Sequence, residues 1–492
     1  MVILVCCISC SLSGAEYESV EHTHVRPINS EAQVSETNSL VMKVSGELSS
    51  PGSVVVHYWY DNGPKLQSQP VTISGISYSV NILRLRANSV YKYQVVAISD
   101  SGYSVASDIK SFVTGPLPDG LDNARFNVLY GQSSYPLTFL EFRQKSFYGL
   151  VAVDSAGYVV WYYEAPEGHE PYVMDQRDDG NIVYLDGGFG VVANGLAEIT
   201  PLGEEVARLD DICPPRGPMH HEVKLMQDGR VMYLSRAIED WGDGIDARPQ
   251  EGDTLGIWDP SNGSTEIVWN IFDHISPMDR TFPNSDSTLP KQFMWGGCNG
   301  DTDVQDWSHG NSIHINDDGT VLISFRHLDQ IVKLSSDFQE VLWRLGGPGG
   351  EFKFLKDNDR FYHQHSAAEL SNGNIILFDN GNNRPETEEG EYSRALELQL
   401  DLRGKTVHKV WEYRHTPDIF SDCCSNVVRL DNGHSLLVFG MSEGDLCCRT
   451  FTIIEVDALG QVTWHVDHRS QGKFSQYRVF PAKSIMNEIE IP

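Results

Sequence analysis

The chain has 492 residues, a formal net charge of −31, 40% hydrophobic residues and 10% aromatics. Those values describe a folded chain longer than one ordinary domain and exclude a disordered one. The negative excess repels phosphate backbones and anionic headgroups, so no nucleic acid is expected as a partner, and a site for an anionic ligand must be a local island of positive charge.

Residues 1–15, MVILVCCISCSLSGA, are apolar and then small, and they read as a signal peptide that ends at Ser13-Gly14-Ala15. The expectation is an exported protein, periplasmic or extracellular. No later stretch is apolar enough for a bilayer span, so no membrane insertion is expected. Residues 16–35 are polar and read as a tail. Over 36–114 short β runs such as Val54–Tyr60 and Tyr91–Ala97 alternate with turn residues such as Asp61-Asn62-Gly63-Pro64. This pattern predicts a small immunoglobulin- or fibronectin-like β-sandwich, and Leu85 followed by Tyr91 and Tyr93 suits a tyrosine corner. Thr114-Gly115-Pro116-Leu117-Pro118 reads as a stiff linker.

From about residue 120 to 492 two hairpin types alternate. One runs into a strand that often ends in Trp, at Gly157 (Trp161), Gly203, Gly263 (Trp269), Phe338 (Trp343), Gly404 (Trp411) and Gly460 (Trp464). The other turns on Asp179-Gly180, Asp228-Gly229, Asp318-Gly319, Asn372-Gly373 and Asn432-Gly433, dipeptides that supply the positive φ of tight hairpins. Alternating hairpins in four-strand units, without a helical pattern, predict an all-β chain whose second part is a six-bladed β-propeller. The sixth inner hairpin is expected from residues 125–150, pairing with the last strand near Tyr477–Ala482. Two packed sandwiches are the rival, against which the repeat period argues. Beyond the leader, Cys213, Cys298, Cys423-Cys424 and Cys447-Cys448 make an even set that suggests disulfides in an exported chain, and the two vicinal pairs could bridge across one hairpin.

The hairpin glycines serve as a ruler. Eight residues before them stand Tyr172, His221, Asn311, His365 and Ser425; seven after stand Gly187, Arg236, Arg326, Asn380 and Gly440. Both sets should lie at the open end of their hairpins, near one mouth of the channel, with the glycines leaving room. His309 is two residues before Asn311, on the same strand face, and His220 adjoins His221. Such histidines, arginines and asparagines form a donor set suited to a tetrahedral oxyanion. A three-histidine metal site from His221, His309 and His365 is the alternative, and Asp301–Asp306 lacks the glycine and terminal glutamate of an EF-hand loop. A metal beside two arginines is electrostatically awkward, so neither metal nor cofactor is expected.

Three stretches resemble the bacterial arylsulfate sulfotransferase family: Met219-His220-His221-Glu222-Val223, then Asp306-Trp307-Ser308-His309-Gly310-Asn311-Ser312 with Ser324-Phe325-Arg326-His327, then Gln364-His365-Ser366-Ala367 with Phe378-Asp379-Asn380-Gly381. The order and spacing match across most of 120–470. The resemblance implies sulfuryl transfer from a phenolic sulfate ester to a phenol acceptor, with no nucleotide donor and ping-pong kinetics. It places the nucleophile on His365, the other channel histidines on His221 and His309, and the sulfate-binding arginine on Arg326. Asn311, Ser425, Tyr172, Arg236, Asn380 and His220 are the expected substrate-binding residues. Cys424-Ser425-Asn426 departs from the hydroxyl-rich last inner strand of the family. A homodimer through the N-terminal domain is the quaternary expectation. The alternative function is a non-catalytic extracellular propeller that binds sulfated ligands or partners; hydrolysis, with water as acceptor, is a third reading. No C-x-P-x-R sulfatase motif and no P-loop is present.

Overall fold

The computed structural model describes residues 25–121, 126–144, 146–187, 195–210, 219–241, 248–277, 305–385, 391–442, 450–469 and 476–492. The signal-peptide expectation therefore lies outside the described residues, as do Cys213, Cys298, Cys447 and Cys448. Among the described residues there is no α-helix, and the chain is all-β, as its patterning requires.

Two sheets form the N-terminal part. Pro27–Val34, Met42–Leu48 and Ser77–Ile82 make one of three strands; Gly52–Tyr60 and Val90–Ile98 centre a larger one. Val54, Val56, Tyr58, Val80, Ile82, Tyr91 and Tyr93 close their shared core. The Tyr91 hydroxyl accepts a hydrogen bond from the Arg86 backbone N–H at 2.9 Å, the local tie of a tyrosine corner. Two expectations are corrected. Pro27–Val34 is no tail, because it pairs along its length with Met42–Leu48 and so satisfies its backbone groups. And Ile489–Ile491, expected in the second part, pairs with Lys65–Gln67 of the N-terminal sheet.

Six antiparallel sheets follow. In chain order their four main strands are Leu137–Gln144, Phe147–Asp154, Val159–Glu164 and Val479–Ala482; Pro171–Gln176, Ile182–Asp186, Gly195–Ile199 and Glu205–Asp210; His220–Leu225, Val231–Trp241, Arg248–Asp259 and Ser264–Asn270; Gly310–Ile315, Val321–Phe325, Gln330–Leu334 and Val341–Leu345; His365–Glu369, Ile375–Asp379, Arg394–Asp401 and Thr406–Arg414; and Asn426–Arg429, Ser435–Ser442, Thr450–Val456 and Val462–Arg469. The first sheet joins the two ends of this region, since Leu137–Leu140 pairs with Val479–Ala482. From the second sheet on, the leading strand of each packs beside the leading strand of the next.

The turns explain the regularity. Gly180, Gly229, Gly319, Gly373 and Gly433 all have φ between 80° and 93°, a region costly for a residue with Cβ. The Asp or Asn before each glycine accepts the backbone N–H two residues on, for example Asp179 Oδ1 from Asn181 at 2.9 Å and Asn432 Oδ1 from His434 at 3.0 Å. The recurring tryptophans reach across sheets. Trp161 Nε1 donates to Pro201 O of the second sheet's turn at 2.8 Å, and Trp464 of the sixth sheet donates to Ser155 O of the first at 3.0 Å. Each is almost fully buried, and truncation of such a side chain to Ala costs about 3–5 kcal/mol.

Candidate functional site

The leading strands do not run straight where they carry the site. Register shifts interrupt pairing between Pro171 and Met174, His220 and Val223, Gly310 and Ser312, and His365 and Ala368. His221, His309, Ser366, Cys424 and Ser425 have φ of 58°, 53°, 56°, 64° and 80°. Bulges re-aim side chains and concentrate at functional sites. Here they occupy the same place in successive sheets.

Tyr477 sits at the middle of what they present. Its ring centroid is 5.2 Å from Tyr172, 5.8 Å from His221 and 6.1 Å from His365. His221 and His309 meet at 4.7 Å. The structure thus brings the three predicted histidines and Tyr172 to one buried cluster. Arg326, Asn311, Asn380 and Ser425 are buried as well.

The hydrogen bonds fix the state of each imidazole. Asn380 donates Nδ2–H to Ser421 O at 2.9 Å and to Cys424 O at 3.2 Å. Its Oδ1 must then accept from His365 Nδ1, 2.7 Å away. That leaves the lone pair of His365 on Nε2. Burial, and then the nearby Arg326 guanidinium, hold the His365 pKa well below the ordinary 6.5, so it is a neutral imidazole at neutral pH. A similar relay serves His221. Gly310 N–H and Ser308 hydroxyl anchor Asp253, whose Oδ1 lies 3.2 Å from His220 Nε2. With its Nε2 protonated toward that carboxylate, His220 Nδ1 accepts from His221 Nδ1 at 2.9 Å, and the lone pair of His221 is on Nε2. Burial and the adjacent His309 push the His221 pKa well down. His220, expected to touch substrate, instead stands behind His221.

His309 Nδ1 contacts the Asp306 carboxylate directly. Burial opposes the charge on Asp306, but His309 and His327 outweigh it and hold the carboxyl below its ordinary value. Asp306, His309 and His327 also bring one carboxylate and two imidazole donor atoms within 4.8 Å of one another. This grouping differs from the three histidines weighed from sequence. The hydrogen bond between Asp306 and His309 already uses two of those atoms, and the positive charge of Arg236 also acts on Asp306.

The two predicted arginines differ. Arg236 Nη1 lies 3.0 Å from Glu251 Oε1, a carboxyl whose pKa burial pushes up to about 8 against the pull of Arg236. Arg326 donates to the Asp422 carbonyl at 3.4 Å, and its buried Nη1 meets no hydrogen-bond acceptor among the described residues. Asn311 gives Nδ2–H to Gln364 O at 2.7 Å. Ser425 Oγ lies 2.9 Å from Ser421 Oγ and accepts Gly440 N–H at 3.0 Å. Gly440 does not open space for a ligand: a Cβ there would meet Gln476 O at 1.9 Å, so the glycine makes way for backbone.

Sequence reasoning missed Tyr477, Arg478, Asp253 and Asp306. Arg478 pairs with Glu222 and donates to Asn311 O, with its guanidinium 5.0 Å from the Tyr477 ring. Tyr477 and Arg478 precede a strand with no glycine hairpin behind it, so the ruler never reached them. The only signal for Asp306 was its place three residues before His309.

The family model of the arylsulfotransferases matches residues 127–478. Arylsulfate sulfotransferase AssT of Escherichia coli O6:H1 strain CFT073 is 27% identical over 197 residues, covering 34% of this chain and 33% of that protein. Its namesake from Lelliottia amnigena is 30% identical over 139 residues, 22% of this chain and 23% of that protein. The matched stretch is therefore a third or less of the length of these relatives. A solved streptogramin B lyase aligns over 87% of this chain and 98% of its own, at 13% identity and a TM-score of 0.35, too weak a likeness to argue from.

Proposed function

The chain belongs to the arylsulfotransferase family, and from that premise we propose that it is an aryl sulfate sulfotransferase that moves a sulfuryl group from a phenolic sulfate ester to a phenol by way of His365. The observation that carries this reading is the juxtaposition of a neutral, oriented His365 with Arg326, a buried guanidinium whose Nη1 has no acceptor among the described residues. An unpaired buried charge is costly, and a sulfate ester would satisfy it.

In the first half-reaction His365 Nε2 attacks sulfur, the S–O bond to the aryl group breaks, and the sulfuryl group stays on the imidazole. Arg326, and the amide N–H of Asn311 not given to Gln364, stabilise charge on the sulfuryl oxygens, each donor contributing about 3–4 kcal/mol by analogy with oxyanion holes. His309, held by Asp306, gives its Nε2 proton to the departing phenoxide and takes one from the incoming phenol in the second half-reaction. His221 and Tyr172 wall the aryl ring. No nucleotide donor and no cofactor takes part. The same reading takes the six sheets as propeller blades with the leading strands around a channel, and the two N-terminal sheets as a sandwich. It also makes the chain an exported, periplasmic or extracellular protein that pairs through that sandwich.

The test is 4-nitrophenyl sulfate with and without phenol, for the wild type and His365→Asn. Nitrophenolate release that needs the phenol and is lost in the variant is the expected result. Release without phenol would make the protein a sulfatase. No release from a panel of donors, with full sulfate-ester affinity retained in His365→Asn, would make it a binding platform.

A further inference from the structure

The leading strands carry the histidine cluster at one end and a cavity at the other. Asp175 follows Tyr172 by three residues, and Lys224 follows His221 by three, a distance of about 10 Å along an extended strand. At this second end, toward the hairpin turns, a cavity of about 670 Å³ opens between Tyr135, Phe139, Met174, Lys224 and Phe480, with Gly180 of one turn at its edge. Small-molecule sites measure about 300–1,000 Å³. Tyr172, His221, His309, Arg326 and His365 do not line it, so it is separate from the histidine cluster.

The walls are aromatic and apolar. Tyr135 and Phe480 are half-buried, each packed on the core by one side and turned to the cavity by the other. Met174 adds a thioether, a soft partner for a ring. The charges around these walls are unequally compensated. Arg177 is held on both oxygens of Glu198, at 3.0 and 2.9 Å, and Lys483 meets Asp431 at 2.6 Å. Asp175 accepts the backbone N–H groups of Leu225 and Gln176, at 3.1 and 3.0 Å, and Asp178 is exposed to solvent. Lys224 differs. Its Nζ meets one carboxylate among the described residues, Glu222, at 3.9 Å, beyond hydrogen-bond reach. The other oxygen of Glu222 is taken by Arg478. The half-buried ammonium of Lys224 is therefore the one charge of this cavity left with only part of a counter-charge.

We propose that this cavity is a second binding site, for a small aromatic anion whose ring lies against Tyr135, Phe139 and Phe480 and whose charged group meets Lys224. The rings offer stacked and edge-on contacts to an aryl group, and the ammonium, a compact point charge on a flexible stem, suits a sulfonate, sulfate or carboxylate. The anion completes the counter-charge that Glu222, drawn toward Arg478, supplies only in part. In a chain of net charge −31, such a site selects its ligand by this local cation, since the surface as a whole repels anions. Binding here involves no covalent step and does not rest on the transfer reaction assigned to His365.

The experiment uses two aryl sulfonates, whose carbon–sulfur bond offers no ester to transfer, so binding is read without turnover. The purified full chain is titrated with 2-naphthalenesulfonate by calorimetry, beside Lys224→Met and Lys224→Arg, and is photolabelled with 4-azidobenzenesulfonate, the labelled residues being identified by tandem mass spectrometry. The expected result is an affinity roughly tenfold to hundredfold lower in Lys224→Met, the value of a hydrogen bond to a charged group. Lys224→Arg should retain most of the wild-type affinity. The neutral 2-naphthalenemethanol should bind wild type and Lys224→Met alike. Label should appear on Tyr135 or Phe480. Equal sulfonate affinity in wild type and Lys224→Met overturns the proposal. So does label confined to Tyr172 and Tyr477, a result that supports the assignment of the histidine cluster while removing the second site. Label on Tyr135 or Phe480 in a chain that releases no nitrophenolate upholds the second site and removes the assigned activity instead.

Discussion

His309 and Asp306 are three residues apart in sequence, yet they divide two tasks. His309 faces the other site histidines and Asp306 holds its far nitrogen, so Asp306 is a positioning residue that sets which nitrogen can carry a proton to the leaving group. Asp306→Asn puts a neutral amide beside His309 Nδ1 and removes the carboxylate that supports the imidazolium donating from Nε2. Turnover should fall roughly a hundredfold to ten-thousandfold, the range of other acid–base histidines deprived of their carboxylate. The loss should grow as the leaving phenol becomes less acidic, because a poor leaving group depends more on the donated proton. A uniform loss across phenols would assign Asp306 to structure alone. At this scale the sequence was informative wherever a glycine turn fixed an offset. Counting from one singled out His221, Asn311, His365, Arg326 and Asn380, all of which are buried in the structure. It did not show the contact of Arg236 with Glu251, fifteen residues further on in the paired strand, because a pairing of two strands is invisible to a ruler laid along one.

Strand Leu137–Gln144 shows what an element contributes. It joins the first sheet to the closing strand Val479–Ala482, and its Glu141 carboxylate accepts the backbone N–H of Tyr477, the hub of the site. Burial is the main reason the Glu141 pKa is pushed up to about 8 from the ordinary 4.5; backbone hydrogen bonds work against it. Between those values the native chain holds a proton that the unfolded chain has lost. The stability this gives is complete below 4.5 and drains away as pH rises through 8. Glu141→Gln has no proton to lose. Its melting temperature should fall less than that of the wild type between pH 5 and pH 9, and equal falls would exclude Glu141 as the source. The hairpins were legible from Asp-Gly and Asn-Gly pairs. The bulges in the leading strands were not, since strict alternation assumes an unbroken ladder, and a bulge is a departure from it that long-range packing must stabilise.

Across the whole molecule, burying imidazoles sets a limit on the acid side. His221, His327 and His365 are held well below 6.5, burial being the largest cause in each, and His468 is lowered to about 4. As pH falls below 6.5 the unfolded chain takes up protons that the native chain refuses, so stability present above 6.5 is lost on acidification, for His468 down to about 4. His468 packs against Phe126, Phe142 and Phe451 at 4.8–5.4 Å, and its Nε2 has no hydrogen-bond partner among the described residues. His468→Phe should therefore lose less melting temperature than the wild type between pH 7 and pH 4; an identical loss would place the acid sensitivity elsewhere. The all-β class and the hairpin repeat could be read from residue patterning, because each hairpin is local. The return of Ile489–Ile491 to the N-terminal sheet could not, since no local signal marks a pairing across more than four hundred residues.

That return has a consequence for how the chain is made. Both the first of the six sheets and the N-terminal sheet recruit a strand that lies more than three hundred residues further along the chain. On the ribosome, each presents an open edge until residues 479–491 have emerged, so neither sheet completes its pairing before them. Assembly thus waits for residues 479–491, and a chain that stalls before them leaves both sheets unfinished at once.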